Sequence, residues 1–236
     1  MNTTTLIIPD IHGRDFWEKP CKEWDGPIIF LGDYFDPYPS EGINVEDAIE
    51  NGKNLISFIK SRDNIITLAG NHDCHYIIND FTVSTRKSYE YLDEIKDLLN
   101  QIPLQLAHQI DNFLFTHAGV SKFWGDEISS FEGNTVEVLN SLFEKALNGN
   151  AEATYILGMV GRERGGYYKS GSCVWADIYE TIASDPYKGF TQVVGHTQVK
   201  NVCYAKDLDP NYNSIYYVDC RKPSILTDNK IIEYEN

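Results

Sequence analysis

Long apolar runs, paired cysteines and an excess of basic charge are all missing from this chain of 236 residues. Without an apolar run of about 18 residues, no membrane-spanning helix is expected. The opening residues, Met1 to Pro9, carry neither a basic start nor a small-residue cleavage site, so a secretory leader is not expected either. The resulting expectation is a soluble, cytoplasmic protein. Five cysteines (Cys21, Cys74, Cys173, Cys203, Cys220) are odd in number, scattered and without a CxxC pair. That pattern argues against a disulfide framework or a thiolate zinc knot and predicts reduced, mostly buried thiols. Twenty Lys and Arg face 35 Asp and Glu, a formal charge of −15. Such a field repels polyanions, so neither extended nucleic acid nor an anionic membrane is an expected partner.

What the chain does have is 42% hydrophobic and 13% aromatic residues, enough to bury a full core in one domain over residues 1–236. Thr4 to Pro9, Ile28 to Leu31 and Ile65 to Ala69 are short β-branched runs that read as buried strands. Asn44 to Arg62 carries an N-cap Asn, acidic Glu46 and Asp47 in its first turn, and an apolar stripe of Val45, Ala48, Ile49, Leu55, Ile56 and Ile59. This predicts a helix, and with it a β-α-β unit and a parallel sheet. Leu104 to His108 and Asn112 to Thr116 predict a hairpin or two neighbouring strands. Thr135 to Leu147 and Trp175 to Ala183 predict helices. Thr191 to Val194, Ile215 to Val218 and Ile231 to Tyr234 predict late strands, the last two antiparallel to each other. Gly158 to Gly171 is the longest candidate functional loop.

Five of these segments end in turns bearing metal-ligand residues: Asp10-Ile11-His12-Gly13, Gly32-Asp33-Tyr34-Phe35-Asp36, Gly70-Asn71-His72-Asp73, His117-Ala118-Gly119 and Gly195-His196-Thr197. Four of the six histidines fall in them. Singly, an Asp-x-His is also the pattern of a capping aspartate beside a surface histidine, and a lone Gly-His-Thr carries little information. Five in one chain, each after a strand, point to a composite metal site. Carboxylates, imidazoles and an amide oxygen suit Mn(II), Fe, Co or Zn better than Ca or a thiolate site. Two such cations could share a bridging carboxylate and clamp a phosphoryl group.

In these motifs the chain resembles the calcineurin-like metallophosphoesterase superfamily, specifically its phosphoprotein-phosphatase-like branch, over residues 6 to about 200. The resemblance implies a four-layer α/β/β/α sandwich of two mixed sheets flanked by helices, with a dinuclear metal site at the strand ends. By motif position, Asp10, His12 and Asp33 hold one divalent ion, for which manganese is the first expectation. Asp33, Asn71, His117 and His196 hold the other, with Asp33 as the bridge. The implied reaction is hydrolysis of a phosphorylated substrate by in-line attack of a metal-bridging hydroxide. His72 is then the general acid and Asp36 its charge partner, while Asn71 also contacts substrate. Phosphomonoesters, phosphoprotein or small-molecule, are the first expectation. A nucleotide or dinucleoside polyphosphate hydrolase and a non-catalytic interaction module are the alternatives, the last weakened because every ligand position and the acid are present.

One departure matters. Where protein phosphatases of this branch carry an arginine after the second Asp of the second motif, this chain has Pro37, then Tyr38 and Pro39. A bidentate phosphate grip is therefore absent at that position. Arg162 and Arg164, on the Gly-rich loop, are the expected replacements, against the alternative of solvated loop arginines paired with acids. Trp175 is expected to wall the pocket or pack in the core. Tyr34 and Tyr38 are expected to be structural, against the alternative of substrate contact, and His75 and His108 to lie at the surface or in hydrogen bonds.

Overall fold

A computed structural model describes residues 4–182 and 187–235. Six strands form the first sheet: β1 (Thr5–Ile8), β2 (Ile28–Phe30), β3 (Ile65–Leu68), β4 (Leu104–Gln105), β10 (Ser224–Thr227) and β11 (Lys230–Glu233), in the order β11-β10-β1-β2-β3-β4. Five form the second: β5 (Ala107–Ile110), β6 (Phe113–Thr116), β7 (Thr191–Val194), β8 (Cys203–Tyr204) and β9 (Ile215–Tyr217), in the order β5-β6-β7-β9-β8. β1 to β4 run parallel, as do β6, β7 and β9, and antiparallel strands complete each sheet. The two-residue period of a strand sorts the side chains. Ile7, Ile29, Leu31 and Leu68 meet Phe113, Phe115, Val193 and Tyr216 between the sheets. Leu6, Ile8, Ile28 and Phe30 point outward to the helices, among them Leu55, Ile56 and Ile59 of helix Val45–Lys60. The architecture is thus two mixed sheets face to face, flanked by helices. Among the described residues, no helix is long and apolar enough to cross a membrane.

Helix Val45–Lys60 starts where the sequence predicts, with the Asn44 side chain accepting from Asp47 N at 2.7 Å. Helix Thr135–Leu147 has the predicted bounds and is fixed by a reciprocal cap. Asn134 Oδ1 accepts from Glu137 N, and Glu137 Oε2 accepts from Asn134 N, at 3.1 and 3.0 Å.

Three expectations are corrected. The predicted strand Leu104 to His108 is two strands in different sheets, with Leu106 at the crossing. There the Asn140 side chain accepts from Leu106 N and Ala107 N and donates to Ala107 O, at 2.9, 3.0 and 3.0 Å. Backbone groups left between sheets thereby find partners. The late strands Ile215–Tyr217 and Lys230–Glu233 do not pair with each other. The second of them pairs with Ser224–Thr227 through Asp228-Asn229, both in the left-handed region, as a two-residue hairpin requires. Finally, of the helix predicted over Trp175 to Ala183, only Ile178–Thr181 is helical, started by Asp177, and Ala183 lies outside the described residues.

Asn134→Ala removes the acceptor of that reciprocal cap and should lower stability by about 1 kcal/mol, read as a shifted urea midpoint with unchanged slope. An unshifted midpoint would mean that the cap contributes nothing to the fold.

Candidate metal centre

Parallel strands deliver their C-terminal ends to one edge, and the five motifs lie there. β1 leads to Asp10 and His12, β2 to Asp33 and Asp36, β3 to Asn71 and His72, β6 to His117 and β7 to His196. Their donor atoms form two overlapping groups, Asp10/His12/Asp33 and Asp33/His117/His196, each within 4.8 Å, with Asp33 common to both, while Asp36 and His72 form a third with His75. Asp33 Oδ2 lies 3.5 Å from His12 Nε2 and 3.4 Å from His117 Nε2. Asn71 Oδ1 and His196 Nδ1 approach His117 Nε2 at 3.2 and 3.1 Å. Every one of these residues is buried except His196, which is half-buried.

Their orientation is set by the backbone. His12 Nδ1 donates to Phe35 O at 3.0 Å and His117 Nδ1 to Leu31 O at 2.8 Å, which turns both Nε2 atoms toward Asp33. Asp33 Oδ1 accepts from His72 N at 2.9 Å, and Asp10 Oδ1 from His196 N at 3.0 Å. Asp73 accepts from Asp33 N, Tyr34 N and Gly70 N at 2.7, 3.0 and 2.8 Å, tying two ligand turns together. His12, Asp33, Asp36 and His196 all have φ in the left-handed region, a concentration of unfavourable backbone typical of functional sites. Gly70 has a different reason to be glycine: a Cβ there would collide with Asp33 Oδ1 and the His117 ring.

The protein's own charges leave this pocket poorly balanced. Burial pushes Asp10 well up, and the nearby Asp219 carboxylate adds to the rise. Burial also lifts Asp219 to about 6 and lowers His12 to about 3. For His117 burial opposes charge, but Asp33 and Asp10 outweigh it and hold the imidazole at about 10. Both Asp219 oxygens and His196 Nε2 are buried without a hydrogen-bond partner among the described residues. Three buried carboxylates close together, Asp10, Asp33 and Asp219, the last with both oxygens orphaned, are costly unless cations join them, so the donor set fits two divalent ions.

Beside this cluster His72 Nδ1 lies 2.7 Å from Asp36 Oδ2. The Asp36 carboxylate also accepts from Tyr76 OH at 2.5 Å and faces His75 Nε2 at 3.0 Å. Ser84 Oγ bridges His72 Nδ1 and His75 Nδ1 at 3.1 and 2.6 Å. His75 is therefore a buried, hydrogen-bonded residue rather than a surface one. A cleft of about 840 Å³ opens over the site, lined by His12, Asp33, Asn71, His72, Trp175 and His196 at its floor. Arg86 and Tyr38 form one wall, Arg164 and Gly165-Gly166 another.

The predicted arginines part company here. Residues two apart in a tight 3₁₀ turn point to different sides. Arg164 reaches the cleft, where its Nε pairs with Asp177 Oδ2 and its Nη2 donates to Thr197 Oγ1, both at 2.7 Å. Arg162 is exposed and does not line the cleft, so its position does not support a phosphate contact. Sequence reasoning missed Arg86, which nothing near it in the chain marks out. It also missed Asp219, for which a signal existed: an Asp after a predicted strand, the arrangement of Asp10.

A family model described as Calcineurin-like phosphoesterase matches residues 3–200. A symmetrical bis(5'-nucleosyl)-tetraphosphatase of Haemophilus ducreyi is 31% identical over 91 residues, 33% of this chain and 34% of that protein. Its counterpart in Actinobacillus pleuropneumoniae (serotype 5b) is 29% identical over 133 residues, 51% of this chain and 46% of that protein. The chain thus spans between a third and a half of these curated relatives. A cold-active protein-tyrosine phosphatase of a psychrophilic Shewanella has a similar structure, with TM-score 0.62 at 18% identity, covering 98% of this chain and 77% of that one.

Because Asp73 is the sole side-chain acceptor of three buried N–H groups among the described residues, Asp73→Ala should destabilise the fold by roughly 3 kcal/mol or more. Denaturant unfolding measures this, and a loss below about 1 kcal/mol would mean that the two ligand turns are held by something else.

Proposed function

The chain belongs to the calcineurin-like phosphoesterase family, a family of hydrolases, and from that premise we propose that this site hydrolyses phosphate esters with two divalent ions, manganese first among them. Asp10, His12 and Asp33 would hold one ion and Asp33, Asn71, His117 and His196 the other. The observation that carries the reading is the sharing of Asp33 between two donor groups, with His72 on the same cleft floor. Two bound cations supply Lewis-acid polarisation of the phosphoryl group and a lowered pKa for the attacking water.

The remaining steps belong to the protein. Asp36 fixes the His72 ring through Nδ1, leaving Nε2 directed toward the cleft. From Nε2 a proton can pass to the departing oxygen, while the Asp36 carboxylate stabilises the imidazolium that precedes transfer. The Tyr76 hydroxyl holds Asp36 from behind, with His75 packed beside it. The Asn71 amide lies between the ligands and the substrate space. Phosphomonoesters are the broad class such a site serves. A phosphoanhydride of a nucleotide is the second reading, favoured by the tetraphosphatase relatives.

Chelation should abolish hydrolysis and Mn(II) should restore it, with calorimetry finding two ions per chain. Full activity in stripped protein would defeat the two-ion reading. His72→Gln should lower turnover by roughly 10² to 10⁴ on alkyl phosphates and much less on an activated aryl phosphate, whose leaving group needs no proton. Asp36→Asn should follow the same pattern more weakly. Equal losses on both substrates would point instead to a damaged metal site.

A further inference from the structure

Arg86 is held in a way that the other cleft arginine is not. Arg164 is paired with Asp177, whereas no carboxylate among the described residues lies within 4.0 Å of Arg86. In a chain of net charge −15, an unpaired guanidinium at the cleft is itself notable. Its backbone has φ 69°, in the left-handed region, and its guanidinium lies 3.8 Å over the Tyr38 ring. Arg86 Nε donates to Asp36 O at 3.3 Å and Nη2 to His72 Nε2 at 3.2 Å. These are two long bonds and a stack, with most of the donor fork unspent.

The contact with His72 is the informative one. Since Nδ1 faces Asp36, the lone pair that Arg86 occupies is on the nitrogen that must protonate a leaving oxygen. The guanidinium, 3.2 Å from that nitrogen, is therefore already at the leaving-group position. We propose that Arg86 is a catalytic residue that binds the leaving group through a pair of anionic oxygens, and that the substrate is accordingly a phosphoanhydride whose leaving group is itself a phosphate. This rests on the hydrolytic reading above and takes its second substrate class, the phosphoanhydride, over the phosphomonoester.

In the step, the oxygen of water bonds the attacked phosphorus and the bridging P–O bond breaks. The electron pair stays on the bridging oxygen, which becomes a terminal oxygen of the leaving phosphate. The two protons of water distribute between the product phosphates and solvent. A leaving phosphate gains charge on oxygens a guanidinium can grip in parallel, whereas a neutral alcohol offers only the one oxygen served by His72. With no arginine at position 37, Arg86 supplies positive charge from another loop, and on the leaving-group side.

The test compares manganese-loaded wild type and Arg86→Gln on a nucleoside triphosphate or dinucleoside tetraphosphate and on 4-nitrophenyl phosphate. Arg86→Gln should lower kcat/KM on the anhydride by about 10²-fold and on the aryl ester at least tenfold less, the difference being the value of the leaving-group contact. Arg86→Lys should recover only part of the loss, since an ammonium keeps the charge but not the fork. By calorimetry, Arg86→Gln should weaken binding of a methylene-bridged nucleoside triphosphate analogue about tenfold while inorganic phosphate binds as in wild type. Equal losses on both substrates would overturn the assignment and place Arg86 on the transferred phosphoryl group, and no loss on either would remove it from the site. A wild type that cleaves the ester but no anhydride refutes the substrate class alone. A wild type that cleaves neither sinks the hydrolytic reading, and the assignment with it.

Discussion

The site depends on buried carboxylates that bond backbone N–H groups. Asp73, with three main-chain donors from the turns after β2 and β3, fixes where Asp33 sits relative to Asn71 and His72. Burial, reinforced by the charge of Asp33, lifts its carboxyl to about 7 even against these donors. Asp33 in turn binds His72 N, and Asp10 binds His196 N across nearly the whole chain. Each turn is thus tied to another by one oxygen and one N–H, in an interior where an unmade hydrogen bond is expensive. Five turns remote in sequence behave as one rigid frame, and a frame is what two closely spaced cations would require.

That frame is strained where it functions. His12, Asp33, Asp36 and His196 are four of the eleven non-glycine residues in the left-handed region among those described. Each such conformation costs on the order of 1 to 3 kcal/mol. Burial of a large apolar side chain contributes about 1.5 to 3 kcal/mol, so a few strand residues beneath each turn offset its strain. Ile7, Ile29 and Leu68, all fully or almost fully buried between the sheets, lie directly behind the turns they support.

Most of the elements could be read from the chain, because period-two apolar runs and a capped apolar stripe are local signals. Helix Thr135–Leu147 and strand Thr191–Val194 have their predicted limits. What could not be read was which sheet a strand joins. Leu104 to His108 looks continuous, and only the Asn140 side chain, more than thirty residues away, makes a break at Leu106 affordable. The pairing of Lys230–Glu233 with Ser224–Thr227 was hidden because Pro223 and Lys222 obscure the start of a short strand. The residues proposed as ligands could be picked out in the chain because each sits in a motif that contains glycine. Arg86, by contrast, has no motif: its place follows from a fold of the loop after helix Asn71–Ile77 and from a Tyr38 ring supplied by another turn.

The two cleft arginines differ in what their surroundings permit. Arg164 is held between Asp177 and Thr197, next to His196, and moving it would strand an aspartate that also caps helix Ile178–Thr181. Those contacts fix it in the wall of the cleft. Arg86 rests on an aromatic face and on a histidine lone pair, partners that lose little when it moves. A guanidinium kept close to its point of use by weak, non-ionic contacts retains its charge for a ligand, whereas one already neutralised by a carboxylate must first break that pair. In a strongly acidic protein, leaving one cleft arginine without an acid is the simplest way to draw an anion to a pocket whose own ligands are carboxylates.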